Sequence, residues 1–498
     1  MGQTTSKIDA KEVVAGMARL SVDKNAYVFV DNDIYKVPPP YEVSDRVSTI
    51  SLDQTRRWEE KLLSSARNRL AISALSQNPV SAILTNNNAA VTDSQIFNIK
   101  IPFEGAPITN QRSSGRCWLF ASTNVFRVAI MKKYNLKEFE LSQSYLFYWD
   151  KIEKSNWFLE NAIQTAGDDL EGRLVQALFA DPVGDGGQWD FVVNLVNKYG
   201  LVPQTLYPDS YNAKNSSKMG SLITTKLREQ ALVLRKLVAT GKTDLIAAHK
   251  EYFLQEIHSI LTIMLGPPPS PDNEFTWTFY DADNKYTKVI TKPTQFASAL
   301  SDKQTLRACG GADVNELFSL VNDPRNEYNR LLTVDRLGNV VGGVPVRYVN
   351  VEMETMKSAA ISMLKAGIPV FFGSDVGKFS DSASGIMDTE LFDFDLGFNI
   401  KLGLTKEQRL KTGESAMTHA MVLTAVHVEN GKPVRWRVQN SWGEGAGDKG
   451  WFVMTDKWMD EFVYQAVVDP RFVSKETRNV LKQDPIVLPL WDPMGALA

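Results

Sequence analysis

The residues of this chain that could carry chemistry sit in three short segments far apart in sequence. The first, Gln111-Arg112-Ser113-Ser114-Gly115-Arg116-Cys117-Trp118-Leu119-Phe120, holds Cys117, one of only 2 cysteines among 498 residues. Ala121, Val125, Val128 and Ala129 continue an apolar spacing of about 3.6 residues from Cys117 and Trp118, so the pattern predicts a helix that opens at the cysteine. A thiol there meets unpaired backbone N–H groups and the positive end of the helix dipole, and its pKa is expected to fall towards thiolate. Upstream, the Gln111 amide is placed to join the Cys117 N–H around an oxyanion. The second segment, Met417-Thr418-His419-Ala420-Met421-Val422-Leu423-Thr424, sets a histidine at the mouth of a strand-like apolar run. The third, Val438-Gln439-Asn440-Ser441-Trp442-Gly443, ends another such run with an amide and an aromatic. An imidazole would take the thiol proton and return it to a leaving amine. An amide oxygen would hold the other ring nitrogen, and Trp442 would shield that bond from water. Singly, these are a buried cysteine, a packed histidine and a turn asparagine; in this order and context they describe thiol-based acyl transfer.

The Gln111 to Cys117 spacing and the Asn440-Ser441-Trp442-Gly443 block resemble the papain-like cysteine peptidases. Ser113 to Phe120, Asp185-Gly186-Gly187-Gln188, Met417 to Met421 and the block Trp491-Asp492-Pro493-Met494-Gly495-Ala496-Leu497-Ala498 are similar to the bleomycin hydrolase and aminopeptidase C branch, over about 97–498. The resemblance implies an α+β, papain-like two-domain peptidase. One half would be helical with the nucleophile and the other β-barrel-like with His and Asn, plus a helical insertion and terminal arms. It implies Cys117 as nucleophile, His419 as base and acid, Asn440 as its orienter, Gln111 as oxyanion donor and Trp442 in support. Gly186 and Gly187 would let substrate backbone pair closely in the cleft. The Ala498 carboxylate would meet the substrate's α-ammonium there. The implied activity is that of a cysteine aminopeptidase on peptides and related amides, homocysteine thiolactone among them, through a thiolate–imidazolium acyl-enzyme. A homohexamer, no cofactor, and a cytoplasmic enzyme with a mitochondrial fraction are implied as well.

One departure is informative. Secreted papain-like enzymes carry Cys-Gly-Ser-Cys-Trp at this point, whereas here Ser114 replaces the first cysteine and Arg116 the small residue. With Cys117 and Cys309 alone no disulfide framework exists, which fits a reducing compartment. Cys309 lacks a following aromatic helix and a glutamine at the right offset, so it reads as a structural thiol.

Around these motifs the chain must supply positioning elements. Lys plus Arg is 55 against 58 for Asp plus Glu, a net charge of −3, which advertises neither nucleic acid nor membrane. No apolar run reaches the roughly 18–20 residues of a membrane span. The start lacks a hydrophobic signal core, although Gly2 with Ser6 matches a myristoylation pattern that would add only weak membrane affinity. Segments are expected as 1–75, an N-terminal arm and helix; 76–213, the helical half with the nucleophile; 214–345, a mainly helical insertion for assembly; 346–475, the β half; and 476–498, an extended C-terminal arm in the cleft. Pro38-Pro39-Pro40 breaks any early helix, and a Ser51/Gln54 capping box opens one with Trp58, Leu62, Ala66, Leu70 and Ala74 on a single stripe. In the insertion, Leu227, Ala231, Leu234 and Val238 mark one amphipathic helix and Leu245, His249, Phe253 and Ile257 a second. A hairpin should then turn at Asp281-Ala282-Asp283-Asn284. Lys285 disqualifies that turn as a calcium loop, and no His/Cys/Asp cluster has metal-ligand spacing.

Two other classes compete. A nucleic-acid-binding protein would use Lys214, Lys218, Lys226, Arg228, Arg235 and Lys236, although Glu229 interrupts that row and a solvated helix face explains it. A Cys–His acyltransferase shares the nucleophile and base, and the Asn440 to Gly443 block argues against it.

Overall fold

The structure is a computed structural model that describes residues 27–30, 33–36, 49–302 and 313–497. Gly2, Ser6, Pro38-Pro39-Pro40, Cys309 and Ala498 lie outside the described residues. The chain divides into two compact units, 1–77 and 78–498.

In the first unit, Tyr27–Val30 and Asp33–Lys36 form an antiparallel hairpin. The Ser51/Gln54 capping box is present and opens helix Leu52–Ser64. The single stripe expected from Trp58 to Ala74 is instead split between two helices. Ser65 adopts an extended conformation (φ −82°, ψ 126°), and its side chain caps a new helix, Ala66–Leu75, by accepting the Asn68 N–H. A serine hydroxyl competing for backbone donors is the usual reason for such a break.

The second unit is built on a 12-stranded mixed sheet. Its centre is the histidine strand, His419–Glu429, flanked by Lys432–Gln439 on one side and Val370–Ser374 on the other, both antiparallel. The near-continuous apolar run of the histidine strand has a direct cause. Ala420 and Val422 pack into one hydrophobic cluster, Met421 and Leu423 into the other, so both faces are buried. One cluster joins the sheet to the helices Cys117–Tyr134, Gln143–Gln164 and Trp189–Tyr199; the other joins it to helix Met353–Lys365. The latter helix stops ahead of Gly367, whose φ of +78° suits glycine.

In the stretch 214–345 the long helices lie in the first part, and the described remainder carries one short helix, Pro293–Ser298, together with strands. Helices Ser217–Ala239 and Ile246–Leu265 bury Ile223, Leu227, Ala231 and Leu234 against Phe253, Ile257 and Leu261. The hairpin Phe275–Tyr280 and Tyr286–Thr291 turns where expected, with Asn284 at φ +60°. Beyond it, Phe318–Val321 and Arg330–Val334 enter the main sheet, and Ile486–Leu488 adds a parallel strand beside Arg330–Val334. These strands are short buried runs, which periodicity alone does not separate from helix.

Candidate active site

Helix Cys117–Tyr134 begins at the cysteine, and every residue from Cys117 to Met131 is buried. Such a helix needs its polar side chains satisfied internally. Thr123 donates to the Leu119 carbonyl (2.7 Å), and the Asn124 amide donates to Thr109 Oγ1 (3.1 Å). Asn135, left-handed at φ +50°, ends it.

The loop before the helix is fastened from two directions. Gln111 N donates to the Ser441 carbonyl (2.8 Å) and Gly443 N to the Thr109 carbonyl (3.0 Å), so it is stitched to the Asn440–Gly443 block. Gly115 N donates to Asp185 Oδ2 (3.0 Å), and a Cβ on Gly115 would fall 2.8 Å from the Asp185 Cβ. Arg116, fully buried, makes a paired contact with the Asp209 carboxylate (2.9 Å to each oxygen) and donates through Nε to Ser114 Oγ (2.9 Å). Burial alone would raise the Asp209 carboxyl, but the Arg116 hydrogen bonds and charge outweigh it and hold it below the usual range. The two departures from the secreted-enzyme signature are thus one unit, a buried ion pair with a serine hydroxyl in place of a disulfide.

The Gln111 amide is buried and tightly held. Its oxygen accepts from Ser441 Oγ (2.7 Å) and Nε2 donates one hydrogen to the Ser114 carbonyl (2.7 Å), which leaves the second Nε2 hydrogen. Ser441 was not singled out in the sequence, because its role appears only when segments 330 positions apart are joined.

His419 Nε2 lies 2.9 Å from Asn440 Oδ1, with both residues buried. Oδ1 also accepts the Ser441 N–H (2.8 Å), which identifies it as an oxygen. It therefore receives a hydrogen from Nε2, and the lone pair of the neutral ring is on Nδ1. The Trp442 ring lies 4.8 Å from the imidazole, centroid to centroid, tilted by 34°. The Ala420 backbone N–H, next to His419, lies close enough to the Cys117 sulfur to favour its charged form. The structure thus brings Gln111, Cys117, His419, Asn440 and Trp442 into one constellation.

The expectation of a depressed thiol pKa is not met. Burial pushes the Cys117 thiol up to about 11, against the lowering effect of the Ala420 and Trp118 backbone N–H groups. Burial likewise pushes His419 down to about 4, opposed by the Asn440 hydrogen bond. Desolvation of each single charge outweighs the helix terminus. Moving the proton from sulfur to imidazole creates two opposite charges together, each the other's counter-ion.

Gly187 packs face to face with the nucleophile helix: a Cβ there would fall 2.5 Å from the Trp118 ring. Trp118 Nε1 donates to the Asp185 carbonyl (2.8 Å), and buried Lys154 donates to the Gly184 (2.9 Å) and Gly186 (2.6 Å) carbonyls. Lys151 pairs with Asp185 at 2.7 Å. Burial would raise the Asp185 carboxyl, but Lys151 overrides it and holds it far below the usual range. These two lysines had no sequence signal beyond their spacing on a helix. Gln188, fully buried, donates through Nε2 to the Ala496 carbonyl (2.7 Å), tying the Gly186–Gly187 turn to the end of the chain.

Among the described residues no group of three or more His, Cys, Asp or Glu is arranged to hold a metal ion, and no helix is long and apolar enough to cross a membrane. In the basic row, Arg235 is buried and donates to the Thr165 and Asp168 carbonyls, Arg228 caps the Phe179 and Ala180 carbonyls, and Lys226 faces Glu229 and Glu256.

A sequence model described as the Peptidase C1-like family matches residues 49–495. Cysteine proteinase 1, mitochondrial, of Saccharomyces cerevisiae (strain JAY291) is 40% identical over 97% of this chain and 100% of its own length. Bleomycin hydrolase of Homo sapiens is 44% identical over 81% of this chain and 89% of its own, and aminopeptidase C of Listeria monocytogenes 40% over 89% and 97%. Among solved structures, PepW of Lactobacillus rhamnosis superposes with a TM-score of 0.86 at 41% identity, covering 91% of this chain and 100% of that one.

Proposed function

The chain belongs to the Peptidase C1-like family and is a papain-like cysteine peptidase, and from that premise we propose that it removes residues one at a time from free peptide N-termini. Cys117 attacks the scissile carbonyl carbon through sulfur while its proton passes to His419 Nδ1. The Cys117 N–H and the remaining Gln111 Nε2 hydrogen receive the oxyanion. The imidazolium returns its proton to the leaving amine, leaving a thioester. Water then attacks, giving its proton to His419, and releases the amino acid and the thiol. The observation that carries this reading is the buried His419–Asn440 hydrogen bond beside a buried cysteine that opens its helix. Cys117→Ala should abolish hydrolysis of aminoacyl arylamides with the protein still folded, and Cys309→Ala should leave most of it. The reverse pattern would overturn the assignment.

The end of the chain sets the register in this proposal. Support comes from three anchors: the parallel strand Ile486–Leu488, the Arg325–Asp492 ion pair (2.7 Å), and the Gln188 bond to Ala496. The Ala498 carboxylate then pairs with the substrate α-ammonium, an attraction of about 1 kcal/mol in water at 4 Å and several times that when partly desolvated. Deleting residues 495–498 should weaken aminopeptidase action and admit N-blocked peptides; strict dependence on a free amine after truncation would remove the arm from the mechanism.

Bleomycin-like amides and homocysteine thiolactone fit the same attack as substrates with a free amine beside a reactive carbonyl. A homohexamer completes the proposal. Leu222, Tyr252, Ile263, Tyr280 and Tyr286 of the insertion stand exposed, and closed symmetry is the common way to cover such faces. Light scattering showing only a 55.7 kDa species at micromolar concentration would exclude it. A reducing location, cytosolic or mitochondrial, is part of the proposal, supported by Ser114 standing where secreted relatives carry a disulfide cysteine.

A further inference from the structure

Beside the nucleophile loop lies an open pocket of about 440 Å³. One wall is Ser113 to Gly115, immediately before Cys117; the facing wall is Gly184 and Asp185, immediately before the Gly186–Gly187 turn. Ser217 and Ser221, from the first residues and second turn of helix Ser217–Ala239, close a third side. The volume exceeds that of any amino-acid side chain, and Ser113, Ser114, Ser216, Ser217, Ser221 and Thr224 set hydroxyls along the lining.

Two carboxylates reach this pocket, and they differ. Asp185 is neutralised: Lys151 pairs with it at 2.7 Å, and its other oxygen accepts from Gly115 N and Ser216 Oγ. Asp181 is exposed and has no hydrogen-bond or ion-pair partner among the described residues. Its carboxylate folds over Gly184, where a Cβ would fall 2.1 Å from Oδ2, so the bare Cα of Gly184 makes room for the charge at the pocket wall. Among the residues lining the pocket, Asp181 is the carboxylate without a hydrogen-bond or ion-pair partner, serine and threonine hydroxyls surround it, and none is a Lys, Arg or His.

We propose that a substrate whose attacked carbonyl sits at Cys117 and whose backbone runs along Gly186–Gly187 places the side chain of its attacked residue in this pocket, and that Asp181 makes the enzyme favour a cationic one, lysine or arginine, at the residue released. The inference rests on the peptidase reading above and adds a substrate class to it.

The test is a series of arylamides with a free α-amine and lysine, norleucine, alanine or glutamate as the aminoacyl group. Lysine and norleucine share a stem, so their ratio of kcat/KM isolates the charge. The wild type should favour lysine by about threefold, the scale of an exposed, solvent-screened ion pair. Asp181→Asn should collapse that ratio, and Ser221→Lys, which places a cation on the opposite wall, should shift preference towards glutamate. Equal turnover of the whole series, or a lysine preference untouched by Asp181→Asn, overturns the pocket assignment and leaves the aminopeptidase reading in place. Turnover of only N-blocked peptides overturns the aminopeptidase reading. The lysine-to-norleucine ratio on the blocked peptides, with and without Asp181→Asn, then decides the pocket by itself.

Discussion

The hydrogen bond from His419 to Asn440 Oδ1 leaves imidazole Nδ1 as the base, and burial keeps that base unprotonated down to about pH 4. A free histidine would be protonated below about 6.5. Activity should therefore persist between these values and fall as the pH drops through about 4, read as the acid limb of kcat/KM against pH. Asn440 stabilises the imidazolium, so Asn440→Ala should move that limb to lower pH. It should also cut kcat by about 10², since the ring loses its orientation. An acid limb that stays in place in the variant would show that another group controls it. Gln111→Ala should lose about 10²–10³ in kcat, the usual size for one oxyanion donor. The loss should appear in kcat rather than KM, because the donor matters most where charge develops.

At the scale of elements, the turn that carries Gly186–Gly187 is held as firmly as the helix it faces. Trp118 cannot retreat from it, being bonded to the Asp185 carbonyl and packed edge-on against Phe191 at 6.2 Å. Gly187→Ala should thus destabilise the fold by about 1–3 kcal/mol through overpacking, measured as a lower melting temperature. Little of this was legible in sequence. The helix opening at Cys117, the histidine and asparagine strands and the insertion hairpin were, because each is a long periodic run or a turn with its own residue signature. The constellation of five side chains was legible for the same reason, as each member borders such an element. Invisible were the groups whose roles exist only across elements: Ser441 on Gln111, Lys154 under the Gly184 and Gly186 carbonyls, and Gln188 on Ala496. The helix break at Ser65 escaped because the apolar stripe runs through it, while one hydroxyl decides the local conformation. The thiol pKa escaped because dipole arguments are local, whereas burial is set by the whole core.

Stability of the molecule as a whole should depend on pH through a lysine far from the chemistry. Lys406 is buried where the helix Lys406–Thr412 meets the sheet, donating to the Val463 carbonyl (2.6 Å) with its ammonium over the Tyr464 ring (5.0 Å). Burial drives its pKa down to about 7, with Arg409 and Lys357 adding to the effect and Asp460 and Glu461 opposing it. An unfolded lysine titrates near 10.4. Between about 7 and 10.4 the unfolded chain therefore binds the proton that the folded protein releases, so this group makes stability rise with pH across that window. Its contribution is fully present above the unfolded value and is lost as the pH falls through about 7. Other groups titrate as well, so the informative quantity is the difference in melting temperature between wild type and Lys406→Met. The variant lacks the buried titration, and its melting temperature relative to wild type should climb as the pH is lowered from about 10 to 7. The Val463 carbonyl left without its donor lowers the variant at every pH alike, which offsets the curve without changing its slope. A difference that is flat across this range would show that Lys406 keeps its ordinary charge in the folded protein.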